Sequence, residues 1–160
     1  MDEVLKVKNQ LKVISYIYFA LTLGLILFFI VTIYLMENLT ESQGKEIDKY
    51  FTIIVPLFGL LMMFFSRFIY FKLISADEQS TEIFVQIAQY RTAKIVSWAL
   101  IEGASLFALV AAILTLNYLY IAVFIFLFGY FLLSRPSKES FINDFRLKSE
   151  QSDKIFKSLL

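Results

Sequence analysis

A single carboxylate interrupts a long apolar stretch of the chain. Residues 95–116, IVSWALIEGASLFALVAAILTL, hold one charged side chain, Glu102, near their middle. At about 1.5 Å rise per residue such a run spans roughly the 30 Å hydrocarbon thickness of a bilayer. An acid at that depth is costly, so it is a candidate for function by default. Four chemistries are open to it. It can pair with a cation, stay protonated and hydrogen-bonded to a neighbouring helix, bind a transported proton or cation, or contact a partner subunit.

Arg67 is the natural cation for a structural membrane pair with Glu102. Both residues fall in the same half of the membrane, offset in depth by roughly 5 Å, which an Arg side chain can cover. On a helix, Trp98 and Ser105 share the face of Glu102 and are candidates to line its site. Ala93, Ser97, Ala104, Ala108, Ala111 and Thr115 collect on a different face. Small residues at that spacing let helix backbones approach closely, the usual packing device in lipid. The helix is therefore expected to have two buried sides.

The elements that must position these groups are four apolar runs, at 13–36, 50–74, 95–116 and 117–134. The first is too long for a signal-peptide core and no cleavage pattern follows it, so it reads as a retained span. The segment before it is expected to be a short interfacial helix that runs into the first span. Pro56 removes one backbone hydrogen bond from the second span. The connection at 75–94 is expected to be helical from about Asp77, extending the third helix into the cytoplasm. Asn117 and Tyr118 form the only turn between the third and fourth runs. Residues 135–160 read as a polar tail, with amphipathic pieces around Phe141, Ile142 and Phe145 and around Ile155, Phe156, Leu159 and Leu160.

Composition narrows the chemistry. Hydrophobic residues make up 59% of 160 and Phe alone accounts for 18, where soluble domains run at about 45–50% apolar. There is no His and no Cys, which removes the commonest general base, thiolate nucleophiles and thiolate metal sites. Neither a cofactor nor a metal is expected. A net charge of +1 gives no basic field for nucleic acid. Thirteen of the 15 Lys and Arg residues fall near the N-terminus, between the second and third spans, or in the tail; only Lys45 and Lys49 lie in the first loop. The positive-inside rule then places both termini in the cytoplasm, as an even number of spans also requires. The expected fold class is an all-α, integral-membrane four-helix bundle.

Two resemblances extend this reading. Ala99-Leu100-Ile101-Glu102-Gly103-Ala104 followed by Leu106-Phe107-Ala108-Leu109-Val110 resembles the carboxylate helix of rotary ATPase c-type subunits, which implies proton or sodium binding at Glu102. The glycine-repeat partner helix and short hairpin loop of that family are missing here. Arg91, the Ala99-to-Gly103 segment, the Asn117 turn, and Arg135-Pro136-Ser137-Lys138-Glu139 leading to Asn143-Asp144 together resemble small four-span bacterial proteins, notably of Bacteroidota. That likeness implies an inner-membrane location and carries no activity with it. Small multidrug transporters place their acid in the first span. MAPEG-type enzymes need several polar residues between spans, whereas here only Arg67 and Glu102 qualify. The expected function is a non-enzymatic inner-membrane protein, structural or accessory, associating with itself or with another membrane protein. The alternative is a proton- or cation-coupled transporter using Glu102.

Overall fold

The structure, a computed structural model, describes residues 2–39, 44–75 and 83–136, and every regular element among them is an α-helix. α1 runs over Asp2–Asn38, α2 over Lys45–Ser75, α3 over Ile83–Thr115 and α4 over Leu119–Leu133. The N-terminal segment runs into the first apolar run as one unbroken 37-residue helix. α2 begins five residues earlier than the second apolar run and continues through Pro56 without interruption. α3, at 33 residues, is about 50 Å long. The helix onset expected near Asp77 and the amphipathic pieces expected within 137–160 lie outside the described residues.

α3 is the hub. It packs against each of the other three helices, and α2 also packs on α4, whereas α1 and α2 pack chiefly on α3. Of its apolar stretch, 44% is buried, against 17% in α1 and in α2. α1 lies parallel to α3, with Gln10 beside Arg91 and Tyr18 beside Trp98. α2 and α4 run the other way. Gly44 at the start of α2 meets Leu114 and Thr115, while Ser134 at the end of α4 meets Trp98.

Aromatic side chains fill the space between α1 and α4. Phe29 stacks on Phe124 at 5.1 Å and Tyr18 on Phe131 at 5.2 Å, and the Tyr18 hydroxyl donates to the Leu132 carbonyl. Between α2 and α3, Phe51 and Phe58 both meet the Phe107 ring edge-on. Outward, α1 and α2 present large apolar side chains along their length. Phe19, Leu23, Leu27 and Ile30 on α1, and Leu57, Leu60, Phe64 and Phe68 on α2, are all exposed. A soluble monomer rarely shows so long an apolar face. By length and composition, α1, α2 and α3 can each cross a membrane. α4, with 15 residues, is about 22 Å long and falls short of that length by itself.

The end opposite the chain termini of α1 and α3 is tied by a polar knot. α3 stops where Leu116 takes a left-handed φ of 54°, a conformation that disfavours any side chain with a Cβ. Asn117 then closes the turn, its Oδ1 accepting from the Leu119 N–H at 3.0 Å. Its Nδ2 donates to both Asp48 carboxylate oxygens at 3.2 Å. Buried Tyr120 donates to Asp48 Oδ1 at 2.6 Å. One carboxylate thus holds the first turn of α2 to the α3–α4 corner.

Candidate functional site

Two places along the apolar part of the bundle hold polar chemistry: the surroundings of Glu102, and a cleft between α2, α3 and α4. The small-residue face lies between them. Ala93, Ser97, Ala104, Ala108, Ala111 and Thr115 are all buried. Ser97 on this face accepts a hydrogen bond from Ser66 through its backbone carbonyl at 3.0 Å, and the two hydroxyls also pair. Close approach here is what the missing side-chain bulk permits.

Trp98 and Ser105 are fully buried on the other side of α3. The Trp98 indole N–H donates to the Ser134 carbonyl at 3.1 Å, and the Ser105 hydroxyl returns to the Ile101 carbonyl of its own helix at 2.8 Å. Neither polar group is directed to Glu102. The carboxylate itself is half-buried, and no hydrogen bond or ion pair joins it to another described residue. It lies one helical turn, about 6 Å, from the level of Trp98, where α4 ends.

Arg67 and Glu102 are not brought together. Arg67 is exposed, and its guanidinium lies 5.3 Å from the centre of the Phe71 ring on the next turn of α2. The reason is rotational. Ser66 points at Ser97, and Arg67, one residue on, lies about 100° round α2 from that contact. Glu102 lies about 140° round α3 from Ser97. Equal depth does not give equal azimuth.

A stripe of α3 remains uncovered. Thr92, Ala99, Gly103, Val110 and Leu114 are exposed, and Glu102 borders this stripe. Nothing lies within 4 Å of a Cβ built on Gly103. The helix is thus enclosed by α1, α4 and α2, and open on its fourth side, where Ala99 and Gly103 bring backbone to the surface.

The cleft is the second site. It holds about 390 Å³ and is lined by Arg67 and Tyr70 of α2, Lys94 and Ser97 of α3, and Tyr130 and Ser134 at the end of α4. Lys94, which the sequence places in a polar connection, is only 8% exposed. Its ammonium lies 4.6 Å from the centre of the Tyr70 ring and 5.5 Å from that of Tyr90, both favourable for a cation. The signal for its burial was present in the spacing: Ile87, Lys94, Ile101 and Ala108 recur every seven residues, and all four are buried. Ser66 and Asp48 also escaped notice, because one small residue or one loop acid carries no signal alone. Among the described residues no cluster of acidic side chains could hold a metal ion. Compared with protein-family models, curated proteins and solved structures, the chain matches none of them.

Proposed function

We propose that the chain is an integral protein of a bacterial inner membrane, a four-span bundle that acts by association rather than catalysis, with a second copy as the first partner to test. The observation that carries this reading is the exposed apolar surface of α1 and α2 combined with the open, small-residue seam on α3. In a bilayer, helices pair where small residues let backbones meet. Glu102 at the edge of that seam then finds its partner across the interface. Likeness to small four-span bacterial proteins fits this reading and adds no activity to it.

The charge bias, thirteen basic residues against two, supports cytoplasmic N- and C-termini. α4 completes the fourth crossing with help from Asn117, Tyr118 and Ser134, and by local thinning of the bilayer around its short length. A cytoplasmic reporter fused at Leu160 is expected to be active, and the same reporter inserted after Ser42 silent. The reverse pattern overturns the orientation.

Association is tested with the full chain in nanodiscs. Because the protein has no Cys, a Lys49→Cys variant takes one dye. Energy transfer between dyes is expected to rise with the number of copies per disc above that of a monomeric control, and to fall in Gly103→Leu. A monomer at every ratio refutes self-association, and transfer unmoved by Gly103→Leu refutes association through the open side of α3.

A second reading has one observation in its favour, the Glu102 carboxyl that no described residue engages. On that reading it binds a proton or cation, and a membrane carbodiimide labels it unless the cation is added. Labelling that cations never change removes the transporter reading.

A further inference from the structure

The cleft between α2, α3 and α4 assembles positive charge where the end of α4 uncovers it. Among the described residues that line it two are cations, Arg67 and Lys94, and none is acidic. Lys94 is held in place by two aromatic rings, and the Arg67 guanidinium by the Phe71 ring. Tyr70 and Tyr130, each carrying a phenol hydroxyl, also line it. Just beyond, Arg135 follows on the exposed exit from α4.

Depth is set by α4. It ends at Leu133, and Ser134 meets Trp98, so α2 and α3 continue past the last turn of α4 while the cleft opens beside it. Apolar side chains stand at the mouth: Phe71 and Leu133 line the cleft and are 49% and 85% exposed. The arrangement puts cations and hydroxyls at one level and a greasy exit next to them. A phosphate attached to acyl chains satisfies both halves. A free anion uses only the first.

We propose that this cleft binds the phosphate of an anionic glycerophospholipid, with the acyl chains leaving over Phe71 and Leu133. Basic pockets between membrane helices suit anionic headgroups because the cation is worth more where water is scarce. The site rests on the bilayer reading given above, and one measurement separates their failures. If alkaline carbonate strips the chain from membranes, the bilayer reading fails. If the chain stays but shows no lipid preference, the site alone fails.

The test is native mass spectrometry of the full chain in detergent, equilibrated with equal phosphatidylglycerol and phosphatidylcholine. One retained phosphatidylglycerol per chain is expected. Arg67→Gln is expected to lower the preference about five-fold, the loss of one cation near a headgroup. Lys94→Gln is expected to act in the same direction, and Arg67→Gln carries the test if that buried substitution prevents folding. Lys72→Gln, an exposed cation at the same end of α2 that does not line the cleft, is expected to leave the preference unchanged. Equal retention of the two lipids, or equal losses in Arg67→Gln and Lys72→Gln, overturns the site. Displacement of the lipid by inorganic phosphate assigns the cleft to a free anion and overturns the lipid.

Discussion

Removing the Asp48 carboxylate should loosen the corner opposite the cleft, and the size of the effect follows from its partners. Tyr120 donates to Oδ1 at 2.6 Å, and Asn117 donates to both oxygens at 3.2 Å. A hydrogen bond to a charged group is worth about 1.5–3 kcal/mol, and the lower end applies because Asp48 is only half-buried. The Tyr120 hydroxyl also has the Asp48 carbonyl at 3.2 Å and Thr52 at 3.5 Å to fall back on. Tyr120→Phe should therefore cost about 1.5 kcal/mol and Asp48→Ala about 2–3 kcal/mol. The double variant should cost about 1 kcal/mol less than the sum of the two, since one bond is counted twice. Reversible denaturation of the purified chain by a graded dodecyl sulfate series, followed by Trp98 emission, measures all three. Additivity within about 0.3 kcal/mol would show that the two side chains do not share a bond, and would remove the knot as a stabilising element.

Gly44→Ala should destabilise by about 1–3 kcal/mol, because the added Cβ would sit 2.9 Å from the Leu114 carbonyl oxygen, a backbone atom that cannot simply turn aside. Gly24→Ala, where nothing lies within 4 Å, should instead be neutral or raise stability by up to about 1 kcal/mol through helix propensity. Both are read in the same denaturation series, and equal effects would contradict the close approach at Gly44. Ser66→Ala should cost only about 0.6 kcal/mol, whereas Ser66→Leu should separate α2 from α3 and cost several times more. Similar losses for the two would mean that the serine contact is not a close one. Trp98→Phe removes the donor to the Ser134 carbonyl and also part of a fully buried ring, so a loss of more than about 1 kcal/mol is expected on thermal unfolding.

The helices were legible because long apolar runs announce themselves as blocks: the block edges fall within five residues of both ends of α2 and α4 and of the end of α3, while the first twelve residues of α3 lie in the connection that the amphipathic pattern marks as helical. The corner at Asn117 was legible too, since one polar residue between two apolar runs leaves the chain nowhere else to turn. Relations between helices were not. Arithmetic along the sequence gives the height of Arg67 and Glu102 but not the direction each faces, and Arg67 is exposed at the cleft while its neighbour Ser66 turns inward to Ser97. Lys94 misled for another reason: a cation beside a polar connection reads as solvated, and only its seven-residue kinship with Ile87, Ile101 and Ala108 places it inside. The crowded side of α3 could be read from six small side chains, while its bare side, around Ala99 and Gly103, could not be foreseen without knowing that three neighbours leave a fourth side open.

Because α1 and α2 both pack chiefly on α3, order of synthesis and order of docking disagree. A chain made from its N-terminus offers two apolar helices before the helix that is their main packing partner. Until it follows, the faces they will bury against it are bare, and the helix that arrives late packs on both of its predecessors.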